Sequence, residues 1–306
     1  MKSYYRLMLG RKSLFARQCF EEGFIGVDFE IAEDLTGKLP EDWREFNKEY
    51  IPLFLQRHPS KTKIGAGLGC AVIWTVAKGM LAGDRVLCPD GDGIYHVGEV
   101  TGDYYYAPDK NLIHCRPVTW LTTTIARAEM SDALRSSVNS IGTVRNLTPY
   151  RDEIEHLLKG ADKGIEKPLL VEDPVAFALE KHLEDFLVVN WSKTKFGKEY
   201  DIAKEDGEIV GQQYPTDTGP IDILAIRKDK KEILIIELKR GRASDVVMGQ
   251  ILRYMGYVME ELAENGQTVK GVVIALEDDK KLRRALIASP NIAFYRYQID
   301  FKLLEA

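Results

Sequence analysis

The alternation of apolar and polar positions is sharpest between residues 218 and 240. Thr218-Gly219-Pro220-Ile221-Asp222-Ile223-Leu224-Ala225 and Glu232-Ile233-Leu234-Ile235-Ile236-Glu237-Leu238-Lys239-Arg240 each set an acidic side chain within a short hydrophobic run. That pattern predicts two strands, with the polar residues 227–231 as the turn between them. On a strand, side chains two apart share a face, so Glu237 and Lys239 point one way while Leu238 points into the core. Downstream, residues 245–262 have helical spacing, and Gln250 and Tyr254 lie at i and i+4 on one face. Residues 271–275 and 292–297 read as buried strands with a helix over 280–288 between them, which favours a mixed sheet containing a parallel unit. Upstream, Asp173-Pro174 is a helix start, and the stripe Ala176, Glu180, Leu183, Leu187 carries Glu180 within an otherwise apolar face.

The first 120 residues have a different texture. Phe24-Ile25-Gly26-Val27-Asp28-Phe29 alternates like a strand, and residues 35–55 form a charged amphipathic stretch suited to one or two helices ended by Pro52 or Pro59. Gly65-Ala66-Gly67-Leu68-Gly69 lacks the Gly-Lys-Ser/Thr ending of a phosphate loop and the spacing of a dinucleotide fingerprint, so it reads as a turn opening a short helix at Ala71-Val72-Ile73-Trp74. Runs at 83–88 and 94–100 around Asp90-Gly91-Asp92-Gly93 predict a hairpin. Tyr104-Tyr105-Tyr106 and Arg116-Pro117-Val118-Thr119-Trp120 complete a small barrel-like set of strands. Residues 123–168 read as a helical connector in which Leu134, Val138 and Ile141 have helical spacing, ending in a polar, glycine-containing linker at 159–168. The expected division is therefore a strand-rich module over 1–122, a connector over 123–168 and a second domain over 169–306.

Composition narrows the class. At 306 residues the chain is long enough for two domains that each bury a core unaided. Cys19, Cys70, Cys88 and Cys115 form no C-x-x-C pair and no zinc-ligand spacing with the five histidines, so reduced thiols and a cytoplasmic location are expected. No apolar run approaches membrane-spanning length, and no membrane association is expected. The net charge of −5 argues against a broad electrostatic nucleic-acid coat. Neither half is basic, so any phosphate contact must come from local clusters: Arg227, Lys228, Lys230, Lys231, Lys239, Arg240 and Arg242 near the acidic strands, or Lys193, Lys195 and Lys198.

Burying carboxylates in apolar strands is costly unless a partner or a metal compensates them. Asp222, Glu237 and the Lys239 ammonium suit a hard cation, since two carboxylates leave coordination positions for water and a phosphate. Taken with Glu180 and the Gln250-x-x-x-Tyr254 pair, these residues resemble the PD-(D/E)xK nuclease core, most closely its NucS-like and Mrr-like branches. The likeness runs from about Glu180 to the C-terminus and departs from the family in the long segment between Glu180 and Asp222. It implies a restriction-endonuclease-like mixed sheet flanked by helices. It further implies that Asp222, Glu237 and the Leu238 carbonyl hold Mg²⁺, or Mn²⁺ in its place, and that Lys239 acts on the attacking water or the transition state. Gln250 and Tyr254 would brace the site, and Glu180 would add a ligand or support one.

The first 120 residues resemble the PUA superfamily and its EVE-like branch, through Lys78-Gly79, the strand start Gly83-Asp84, Gly98-Glu99-Val100 and Arg116-Pro117-Val118-x-Trp120. This likeness implies a β-barrel module that binds a modified base. Trp74, Tyr104, Tyr105 and Trp120 are its aromatic candidates, either as stacking platforms or as core residues, with Asp28 and Asp103 as base-edge or turn residues. The expected fold class is α/β, α+β overall. The two resemblances together imply a modification-dependent, type IV-like restriction endonuclease that hydrolyses duplex DNA with magnesium and works as a homodimer. A NucS-like nuclease for mismatched or branched DNA and a non-catalytic nucleic-acid-binding protein are the alternatives.

Overall fold

In a computed structural model of the chain, residues 2–139, 142–159, 174–205, 207–264 and 266–298 are described, with backbone alone for 174–181. They form two compact units, Met1–Pro174 and Val175–Ala306.

The first unit is built on a curled seven-stranded sheet. Its strands are β1 (Tyr4–Leu7), β2 (Phe24–Val27), β3 (Arg85–Pro89), β4 (Ile94–Val100), β5 (Tyr105–Tyr106), β6 (His114–Ala126) and β7 (Val144–Asn146). They run in the order β2-β6-β4-β3-β1-β7, with β5 on β6. The expected hairpin is present as β3 and β4, with Gly91 and Gly93 at positive φ in the turn.

Helix α1 (Ala16–Glu22) ends at Gly23 in the left-handed conformation. Helix α2 (Trp43–Arg57) is capped by Asp42 and contains Pro52 rather than stopping there. Proline removes one helical donor, and the packing of Phe46, Tyr50 and Phe54 into the core outweighs that loss. Helix α3 (Lys63–Trp74) starts earlier than its apolar run suggests, because Thr62 caps it and the glycines lie inside it. A Cβ at Gly69 would sit 3.2 Å from the Phe29 ring, so at that position the glycine serves close packing.

The segment read as a connector belongs to this unit. Leu134 and Val138 of α4 (Asp132–Asn139), Leu147, and Ile154 of α5 (Arg151–Leu158) pack with Tyr4, Leu87, Tyr95 and Val97, and β7 pairs with β1. Ile141 and the linker at 160–168 lie outside the described residues.

The second unit opens with α6 (Pro174–Val189) and continues through β8 (Tyr200–Ile202), a small hairpin of β9 (Lys204–Glu205) and β10 (Glu208–Ile209), β11 (Gln212–Tyr214), β12 (Ile221–Arg227) and β13 (Glu232–Leu238). Then follow β14 (Arg242–Ala243), α7 (Val246–Tyr257), β15 (Thr268–Ala275), β16 (Glu277–Asp278), α8 (Lys280–Ile287) and β17 (Ile292–Arg296). The main sheet runs β11-β12-β13-β15-β17 with β8 also on β12. It is antiparallel from β11 to β13 and parallel from β13 to β17, as strand-helix-strand spacing predicts.

Period-two alternation assigns the two faces. Ile223, Ala225, Leu234, Ile236 and Leu238 share a core with Leu183, Leu187 and Val188 of α6. Helix α7 lies over β15 so closely that a Cβ on Gly271 would come within 2.8 Å of Ile251 Cδ1 and 3.0 Å of Met255 Sδ. Gly271→Val is therefore expected to push α7 outward and to cost about 1–3 kcal/mol of unfolding free energy, measurable by urea denaturation.

Candidate active site

The register of the sheet brings the acidic positions together. Ile223 pairs with Ile236 and Leu224 with Ile235, so one step further along the same ladder Asp222 stands opposite Glu237. On the other side Gln212 pairs with Ile223 and Tyr214 with Ile221, which puts Gln213 opposite Asp222. Gln213, Asp222 and Glu237 thus form one row across β11, β12 and β13.

Lys239 Nζ donates to Glu237 Oε1 at 2.7 Å. Leu238 turns its side chain into the core, while its peptide N–H donates to Asp222 Oδ2 at 2.7 Å. Main chain and both carboxylates therefore converge at one end of the β12–β13 hairpin. Tyr254 is buried on α7 and accepts from Gln250 Nε2 at 3.2 Å. The backbone of Gly219, at φ 121°, passes directly beneath it: a Cβ there would lie 3.1 Å from the Tyr254 hydroxyl. A side chain at 219 would be strained by that conformation and crowded by that ring.

The electrostatics follow from the crowding. Burial, then the charges of Glu237 and Glu184, hold the Asp222 carboxyl well above the usual carboxylate range, against the Leu238 N–H and the Lys239 ammonium. The ammonium thus offsets only part of the repulsion. Burial raises the Tyr254 hydroxyl as well, with Glu237 and Asp222 adding to the shift against the Gln250 hydrogen bond. Tyr254 is accordingly a neutral hydroxyl at physiological pH.

Glu180 lies on α6, and its side chain is outside those described. Among the described side chains of α6, Glu184, one helical turn later and 3% exposed, reaches the site. It accepts from Gln212 Nε2 at 2.7 Å and from Gln213 Nε2. The long 193–212 segment supplies β8 and β11 to the sheet edge.

The basic turn at 227–231 lies at the opposite end of the hairpin from the acids. Five strand residues at about 3.3 Å each separate Asp222 from Arg227, about 16 Å. Of the cluster expected near the site, Lys239, Arg240 and Arg242 follow β13 at the acidic end, whereas Lys228 Nζ holds the carbonyls of Gly197 and Lys198.

Among the described residues, no three His, Cys, Asp or Glu side chains gather closely enough to hold an ion. A cation here would take two carboxylates, Asp222 and Glu237, with main chain and water completing the shell, which suits magnesium. The residual repulsion on Asp222 is what a cation would relieve, so the donor set fits such an ion.

In the first unit, Trp74, Tyr104, Tyr105 and Trp120 are each half-buried against the core. Trp74 Nε1 donates to Pro40 O at 3.1 Å and Trp120 Nε1 to Cys19 O at 2.9 Å, while Tyr104 Oη lies 3.0 Å from His114 Nδ1. Asp28 is exposed and accepts from the Glu30 N–H in a turn, and Asp103 is exposed. The four cysteines are buried free thiols. Among the described residues no helix is long and apolar enough to cross a membrane.

Residues 196–300 match the family model for the endonuclease NucS C-terminal domain. Residues 5–148 match a domain of unknown function, DUF8426. No curated protein matches. Among solved structures, the chain is similar to a repair endonuclease from Pyrococcus abyssi, at 14% identity and a TM-score of 0.31, covering 69% of this chain and 66% of that one. It is also similar to EndoMS in a complex with double-stranded DNA, at 12% identity and a TM-score of 0.33, covering 70% and 68%. EndoMS in its apo form gives 14%, 0.30, 72% and 79%.

Proposed function

We propose that this protein is a divalent-metal-dependent DNA endonuclease of the NucS kind, acting on mismatched or branched duplexes. The observation that carries the reading is the convergence of Asp222, Glu237 and Lys239 at one end of the β12–β13 hairpin, inside the region that matches the NucS C-terminal domain. Asp222 and Glu237 would hold Mg²⁺ or Mn²⁺ with the Leu238 main chain beside them. When bound, such an ion polarises a phosphate and lowers the pKa of a coordinated water. Lys239, part-exposed beside Glu237, supplies a positive charge to the developing negative charge on the phosphate. Tyr254, kept neutral and hydrogen-bonded by Gln250, lies against the Gly219 turn that leads into Asp222. One such site per chain cuts one strand, which favours a homodimer where both strands are severed.

The modification-dependent restriction reading has less behind it. The N-terminal rings named for base stacking are packed against their own core.

The test is cleavage, with magnesium, of four duplexes of one sequence: plain, mismatched, branched and carrying modified cytosine. The mismatched or branched duplex is expected to be cut at least tenfold faster than the plain one. Cleavage of the modified duplex alone would instead restore the restriction reading.

A further inference from the structure

Adjacent side chains on a strand point to opposite faces. Gln212 and Gln213 nevertheless both reach Glu184, and they do so because Gln213 leaves the extended region at φ 51°. A non-glycine residue held in the left-handed region is uncommon, and such strain gathers where the surroundings need it.

The result is an alternating chain of carboxylates and amides. Gln212 Nε2 donates to Asp185 Oδ1 at 2.9 Å and to Glu184 Oε1 at 2.7 Å. Gln213 Nε2 donates to Glu184 Oε2 and to Asp222 Oδ1 at 2.9 Å. Asp222 Oδ2 accepts from the Leu238 N–H at the far end. An amide nitrogen carries two protons, and Gln213 gives one to each of two carboxylates that would otherwise repel. With both carboxyl groups ionised, the amide oxygen in that place would face two further acceptors.

We infer that Gln213 is a positioning residue of the nuclease site: its amide ties Glu184 of α6 to Asp222 of β12 and sets the plane in which Asp222 presents its remaining lone pairs to a divalent ion. With Oδ1 fixed by Gln213 and Oδ2 by a peptide N–H, the carboxylate cannot rotate freely. The inference rests on the metal-dependent reading above and adds to it a residue on a third strand, outside the acidic pair and the lysine. Groups that orient a ligand typically change metal affinity or activity 10–100-fold when removed.

Two substitutions in the full-length protein separate positioning from folding. Gln213→Gly deletes the amide at a backbone conformation glycine adopts freely, and Gln213→Asn keeps an amide, tolerates the left-handed region, and is one carbon too short to span both carboxylates. For each, the thermal unfolding midpoint, Mn²⁺ binding by calorimetry without DNA, and kcat and KM for duplex cleavage are measured. Both variants are expected to unfold cooperatively with a midpoint only a few degrees below wild type, to bind Mn²⁺ about 10–100-fold more weakly, and to lose kcat by a similar factor with KM for DNA within about twofold. Wild-type Mn²⁺ affinity and kcat in both variants would overturn the inference while leaving the endonuclease reading intact. A wild-type protein that neither binds Mn²⁺ nor cleaves DNA would overturn both together.

Discussion

Lys239→Ala is expected to leave a folded protein that cleaves duplex DNA about 10²–10³-fold more slowly, the loss typical when one charge-stabilising donor is removed from a preorganised site. The ammonium is 2.7 Å from Glu237 Oε1, and its side chain keeps 31% of its surface, so it can serve both the carboxylate and an incoming phosphate. Its loss leaves Glu237, 1% exposed and facing Asp222, without that ammonium. Metal-free Lys239→Ala should therefore also lose about 1–3 kcal/mol of stability, much of it returned by a saturating divalent cation. Single-turnover nicking and thermal unfolding, each with and without Mg²⁺, read both effects. Lys231→Ala is the matched control, because that lysine sits in the turn at the far end of the hairpin. An equal fall in cleavage for Lys231→Ala would mean that bulk charge, and not the position of Lys239, sets the rate.

How the chemistry became visible in the sequence depends on its distance from the strand pattern. Asp222 and Glu237 could be placed as neighbours from the two apolar runs and their short turn, since an antiparallel hairpin fixes which residues stand opposite each other. Gln250 and Tyr254 followed from helical spacing for the same reason. Glu184 was harder. Glu180 and Glu184 are a turn apart on one face of α6, and periodicity identifies that face without singling out Glu184. The missing signal was the Gln212-Gln213 pair just before the strands, a polar dipeptide whose partners on α6 become evident only when β11 is docked.

The misplaced basic turn has a related cause. Residues 227–231 are close to Asp222 in sequence, yet a strand carries them about 16 Å away. In the first unit, β7 returns to pair with β1 across more than a hundred residues, a contact that local periodicity does not encode. The apparent connector thereby became part of a core.

Asp222→Asn is expected to abolish cleavage, by 10²-fold or more, and at the same time to flatten the pH dependence of stability in the metal-free protein. The native carboxyl lies well above its usual range because of burial and the charges of Glu237 and Glu184. Between the unfolded value of about 3.9 and that raised native value, the folded state holds a proton that the unfolded state has released. Stability contributed by this group is therefore fully present below about pH 3.9 and is lost as pH rises through the native pKa, with a slope of up to about 1.4 kcal/mol per pH unit. Carboxylates held below their usual range, such as Glu232, which accepts from the Tyr200 hydroxyl and pairs with Lys270, act in the opposite sense. The informative quantity is thus the difference between wild type and Asp222→Asn in urea unfolding across pH. A bound cation should reverse the sign for the wild type alone: at a hundred times its dissociation constant it adds about 2.7 kcal/mol, and only while Asp222 is ionised. Parallel pH profiles for the two proteins, or equal stabilisation of both by Mn²⁺, would show that Asp222 is not where the ion and the proton compete.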